Sequence, residues 1–171
     1  SNGYIKGKWP PFVRNPLSYR RIINSLIAAH CRAYRAMKNV RPEVQIGIAK
    51  HNIFFESNWN PINVISRSYS DWFWNHRFLK AIEGCQDFIG LNHYFWSKYG
   101  VTKAEVERYP MSDFGWTVHP TSLLHCLRAL KRYNVPLYVT EHGLSDAKDR
   151  LRTQFLKNAA TCLYRAVHED I

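Results

Sequence analysis

VPLYVTEHGL, residues 135–144, is the stretch on which the fold turns. It runs apolar for the length of a strand and then changes character at a carboxylate, Glu141, with a glycine two residues on. Two earlier runs repeat the design: VQIGIA at 44–49 and DFIGLNHYF at 87–95. Polar residues gather at the carboxyl end of all three: His51, Asn52 and Glu56 after the first, Asn92, His93 and Tyr94 at the second, Glu141 and His142 at the third. Strands this apolar read as buried on both faces, and strands so buried and separated by helical crossovers pair in parallel.

The segments between them carry the helical period. Ile22, Ile23, Leu26, Ile27, Tyr34 and Met37 recur at three-to-four spacing and predict a helix over 17–38, stopped by Arg41-Pro42. A second helix is expected from about Ser70 to Ile82, with HNIFFESNWNP at 51–61 as a polar, aromatic loop before it. Pro120 and the Thr121-Ser122 pair mark a third helix start, and 146–167 closes the chain with Leu151, Phe155, Ala159, Cys162, Leu163 and Ala166 on one face. The fold class is therefore α/β, with three parallel strands and four main helices. Chemistry collects at the carboxyl edge of both doubly wound sheets and (β/α)8 barrels. No glycine-rich phosphate loop follows any strand, which favours the TIM barrel. A barrel needs eight strands and typically about 250 residues. Residues 1–171 are accordingly expected to form a single segment of a barrel catalytic domain, with the remaining strands supplied in cis or in trans, because open apolar edges invite aggregation.

Composition narrows the classes. Hydrophobic residues make up 46% of the 171 and aromatic residues 15%, which suits a globular core and argues against disorder. No apolar run reaches the length of a membrane span and no secretory pattern opens the chain. The four cysteines, Cys31, Cys85, Cys126 and Cys162, form no C-x-x-C; three of them fall on apolar faces of expected helices, and the set fits a reducing, cytoplasmic compartment. The formal net charge of +11 raises nucleic acid as a partner. However, Arg20, Arg21, Arg32, Arg35, Lys38 and Arg41 follow no recognition motif, and a solvated outer helix face is the commoner use of such a cluster.

Four stretches carry a family resemblance: SNGYIKGKWPPF at 1–12, QDFIGLNHYF at 86–95, SDFGW at 112–116 followed by HPTSL, and PLYVTEHGLSDAKDRLR at 136–152. In this order and spacing they resemble the later-middle part of glycoside hydrolase family 1, the retaining β-glucosidases and β-galactosidases, over nearly the whole chain. V-T-E-H-G is similar to that family's I-T-E-N-G, and the resemblance implies that Glu141 is the nucleophile that forms a covalent glycosyl-enzyme. G-L-N-H-Y is similar to G-L-N-Y-Y, which implies that Tyr94 donates a hydrogen bond to the nucleophile, a contact that favours the charged carboxylate and fixes its rotamer. Asn92 would line the sugar site, and Trp116 would offer an indole face to the aglycone. The bland alternatives are a surface glutamate paired with Lys148 or Arg150, a core tyrosine and an ordinary packed loop tryptophan.

The departures are His142 for the family's asparagine and His93 for its first tyrosine; either imidazole, protonated near Glu141, would deepen its acidity. His93 with His142 lacks a third metal ligand in the sequence, and the resemblance implies neither metal nor cofactor. The family's acid/base glutamate sits in an N-E-P motif that would precede residue 1, and its last strand would follow residue 171. Glu56 reads as a solvated loop residue rather than a substitute acid. The substrate implied is a β-glycoside or oligosaccharide, and the isolated segment is expected to be nearly inactive, because leaving-group protonation is lost.

Overall fold

The computed structural model describes residues 3–171. They form two compact units, one comprising the residues up to Gln45 together with Phe78–Gln86, the other Ile46–Arg77 together with Asp87–Ile171.

The first unit is built on helix α1, Pro16–Val40. Asn15 caps it, its side-chain oxygen accepting from the backbone N–H of Leu17 at 2.9 Å and Ser18 at 3.2 Å, and Pro16 supplies the first helical φ. Lys38 closes the other end by donating to the carbonyls of Pro42 and Val44. Within the unit, His30 Nε2 meets the Cys85 carbonyl at 2.8 Å, and Leu79 and Ile82 are fully buried. No residue of α1 itself is fully buried: Ile22, Ile23, Ile27 and Tyr34 are half-buried, while Leu26 and Met37 are exposed. Its apolar stripe, read from the sequence as a packed face, is thus only partly covered.

The second unit contains two parallel sheets. Strands β1 (Gly47–His51), β3 (Phe88–His93) and β5 (Leu137–His142) pair in the order β1-β3-β5, and β2 (Phe54–Ser57) pairs with β4 (Trp96–Tyr99). The three runs expected to be parallel strands are the three strands of the larger sheet. β2 and β4 were not foreseen: each continues outward from the carboxyl end of β1 or β3 after a short break, and Phe55 and Trp96 bury themselves as they pair. The expectation of strands buried on both faces holds for β3 alone. In the edge strand β5, Leu137 and Val139 are half-buried while Tyr138 and Thr140 are exposed. The covered face is closed by α5 (Ser122–Leu130), whose Leu123, Leu124, Cys126, Leu127 and Leu130 are buried. Helix α6 (Arg152–His168) packs on α5 through Cys162, with Phe155 and Ala166 buried beside it.

Two helix boundaries differ from the sequence reading. The second helix begins at Pro61, not near Ser70: α2 (Pro61–Asp71) runs through a π-helical turn at Trp72–His76 into α3 (Arg77–Ala81). Asn60 caps it by accepting from Ile62 N–H at 2.9 Å, so Asn60-Pro61 is a start signal inside what was read as a loop. Ile62, Ile65, Tyr69 and Trp72 face outward on this helix and are exposed, an inverted pattern that hid it. The last helix begins at Arg152 rather than Asp146, because the Asp146 carboxylate stays outside and accepts from the backbone N–H of Leu151 at 2.6 Å and Arg152 at 3.2 Å. A short α4 (Lys103–Val106) completes the elements.

Candidate active site

The site forms at the carboxyl edge of the larger sheet, where the pairing of β3 with β5 is irregular. Leu91 lies opposite Val139 but Asn92 lies opposite Glu141, so Thr140 is an extra residue in β5. Such a bulge resets the alternation of side chains beyond it. Thr140 and Glu141 both stay on the exposed face of the sheet, and His142 turns to the helix-covered face opposite His93. Gly90 makes room for this: a Cβ there would meet Ala49 Cα and the Thr140 side chain, each at 3.0 Å.

The consequence is a set of converging polar groups. The Tyr94 hydroxyl donates to Glu141 Oε2. That hydrogen bond to the carboxylate, followed by desolvation, raises the Tyr94 pKa above the ordinary tyrosine value, which keeps the phenol a donor. The Thr140 hydroxyl donates to Asn92 Oδ1 at 2.6 Å, an arrangement that fixes the amide and directs its N–H groups elsewhere. Glu141 itself is exposed.

Aromatic rings wall one side. Tyr94 and Trp116 lie 5.8 Å apart between ring centroids, Phe95 and Trp116 5.2 Å, and Phe114 and Trp116 5.4 Å. Trp116 closes a tight turn in which Ser112 N–H donates to the Trp116 carbonyl at 2.9 Å and Gly115 takes the left-handed φ of +72°. Asp113 ties this turn to the loop after Glu141: its N–H donates to Ser145 O at 2.8 Å and its carboxylate accepts from Ala147 N–H at 2.6 Å. The turn that carries Trp116 and the loop that follows Glu141 are thereby tied together.

The structure brings Glu141, Tyr94, Asn92 and Trp116 into one site and takes the two histidines out of it. His93 is fully buried, its Nδ1 at 3.0 Å from Asn52 O and its Nε2 at 2.8 Å from Ser122 Oγ. A carbonyl only accepts, so Nδ1 carries the proton, and the neutral ring's Nε2 takes that of the Ser122 hydroxyl, whose oxygen also lies 3.0 Å from His119 O. Burial lowers the His93 pKa to about 4, against a partial opposing effect of the Asn52 bond, and it stays neutral at physiological pH. His142 Nδ1 donates to His93 O at 2.7 Å and its ring stacks on Phe155 at 4.5 Å; burial lowers its pKa as well. Both imidazoles thus turn to the helix-covered side of the sheet and are engaged there, away from Glu141. Glu56 is not a solvated loop residue either: it sits in β2, half-buried, and accepts from Trp96 Nε1 at 2.6 Å.

Sequence reasoning placed His51 among the polar residues after the first strand but gave it no role, and it did not single out Phe95 or Phe114. His51, at the carboxyl end of β1, lies beside Asn92 in register, which in turn pairs with Glu141. Its position after the first strand was the available signal. The Phe residues carried none, since apolar rings in loops read as packing.

No family model matches the chain. It is similar to the β-galactosidase of Saccharolobus solfataricus, 26% identical over 97% of this chain and 41% of that protein. The β-galactosidase of Sulfolobus acidocaldarius is 27% identical over 86% of this chain and 36% of its own length. Among solved structures, the hyperthermophilic β-glucosidase of Pyrococcus furiosus superposes with a TM-score of 0.84 at 26% identity, over 98% of this chain and 40% of that one. The chain thus spans about two fifths of the length of these three proteins, and its α/β fold corresponds to part of a TIM-barrel glycosidase.

Proposed function

From its kinship with the family 1 β-glycosidases over nearly its whole length, we propose that this chain is a segment of a (β/α)8 catalytic domain that carries the nucleophile half of a retaining β-glycosidase site. The reaction is hydrolysis of a terminal β-O-glycosidic bond. The single observation that carries the reading is the Tyr94 hydroxyl donating to Glu141 at the carboxyl end of β5. A carboxylate on a packed strand, oriented by a phenol and open to the sheet's exposed face, has the setting of a nucleophile that attacks an anomeric carbon. Asn92 then offers its amide to a sugar hydroxyl, and Trp116 with Phe114 and Phe95 lies against the apolar face of the glycoside.

A retaining mechanism needs a second carboxyl about 5–5.5 Å from the first to protonate the leaving oxygen and later activate water. That group, and the strands that pair with the open edges of β1 and β5, come from other polypeptide, in cis or in trans. The chemistry calls on two carboxyls and no cofactor. Among the described residues no helix is long and apolar enough to cross a membrane, and the four cysteines are free thiols; we place the protein in the cytoplasm. The test is covalent trapping: in the assembled protein a slow 2-fluoro glycoside labels the peptide containing Glu141, and Glu141→Gln abolishes the label. A label on another carboxylate, or none, overturns the assignment.

A further inference from the structure

The carboxyl edge of the larger sheet presents not two polar residues but three in one row. His51, Asn92 and Glu141 are successive register partners across β1, β3 and β5, and side chains in register on one face of a parallel sheet project side by side. His51 is exposed, as Glu141 is, so its ring opens to the same face. It is also held: its centroid lies 5.9 Å from that of Tyr94 and 5.4 Å from that of Phe95, the two rings that reach Trp116. The imidazole thus belongs to the aromatic wall on one side and to the polar row on the other.

We propose that His51 is a further specificity-determining contact, its imidazole exchanging hydrogen bonds with a hydroxyl of the bound glycoside on the side of Asn92 away from Glu141. The proposal rests on the glycosidase reading above and deepens it. A neutral imidazole has one donor and one acceptor, the same pair that a sugar hydroxyl presents in return. An imidazolium would offer two donors and a charge, which suits an anionic substituent instead. The surroundings keep the ring neutral. Desolvation between Tyr94 and Phe95 and the ammonium of Lys50 both lower the His51 pKa below the ordinary imidazole value, while the Glu141 carboxylate acts in the opposite sense. Lys50 is itself depressed, to about 8, by burial. His93 on β3 is neutral and Tyr94 is a protonated phenol, so neither adds a charge beside the Glu141 carboxylate, which acts on the His51 ring.

Two measurements on the full 171-residue chain decide the matter. In an NMR titration of the histidine ring signals, His51 titrates below the ordinary value, and Glu141→Gln moves it lower still. A His51 that titrates normally and ignores Glu141→Gln overturns the row. In the second, an aryl β-glucoside is added at pH 7 while the His51 ring and the Trp116 indole N–H are followed. Shifts at both, with His51→Ala weakening binding about three- to tenfold and His51→Asn, which keeps a donor and an acceptor, restoring most of it, support the contact. A shift at Trp116 with none at His51 overturns the proposal and leaves the glycosidase reading standing. Silence at both residues, repeated in the assembled protein, overturns both.

Discussion

Tyr94 and Glu141 stand 47 positions apart, and the hydrogen bond between them fixes the rotamer of the carboxylate. Two consequences are measurable. Because the carboxylate holds the Tyr94 pKa up, Glu141→Gln returns it toward the ordinary tyrosine value, read by NMR of ring-labelled tyrosine. On the proposed glycosidase reading, Tyr94→Phe in the assembled protein lowers kcat about 10- to 100-fold, the range of a hydrogen bond to a charged group. His93 gives a third prediction. Its folded pKa of about 4 lies below the unfolded value near 6.5, so the fold favours the neutral ring. The associated stability is fully present above pH 6.5 and is lost as pH falls through the window from 6.5 to 4, about 3 kcal/mol in all. Urea unfolding at pH 7 and pH 4.5 shows this loss, and His93→Gln flattens it.

At the scale of elements, the start of α2 and the bulge in β5 matter most. Asn60→Ala removes the side-chain acceptor for Ile62 N–H and costs about 0.5–2 kcal/mol of stability, measurable in denaturant. Gly90→Val fails differently. The added side chain meets the backbone of β1 at Ala49 and the side chain of Thr140, so it strains the pairing and displaces the bulge that aims Glu141. The expected result is destabilisation together with loss of Tyr94's raised pKa. Much at this scale was legible beforehand. The period of the apolar residues placed α1, α5, α6 and the three strands of the larger sheet, because periodicity records which face is buried. It could not place α2, whose outward face is the apolar one, nor β2 and β4, whose residues alternate too briefly to register.

For the molecule as a whole, the larger sheet has open edges at β1 and β5 and a face on which Tyr138, Thr140 and Glu141 are exposed. On the proposed reading, in which the acid/base carboxyl comes from other polypeptide, the isolated chain is expected to hydrolyse an aryl β-glycoside at no more than a trace rate. Robust turnover abolished by Glu141→Gln would contradict that. The charge of +11 leaves an electrostatic signature too: Arg20, Arg21, Arg32, Arg35 and Arg41 are exposed along and just beyond α1. Any weak association with nucleic acid through them is expected to vanish between 50 and 200 mM salt, as counterion release requires.

The sequence by itself determined the α/β class and the parallel strands and singled out four residues that the fold brings near one another, since buried runs and short motifs are local patterns that one chain spells out. Only the tertiary structure decided which face each residue serves. A single extra residue at Thr140 keeps Glu141 on the open side and sends His142 to the buried one, and strand pairing sets His51 in line with them. Such choices depend on register between segments far apart in the chain, and nothing local encodes them.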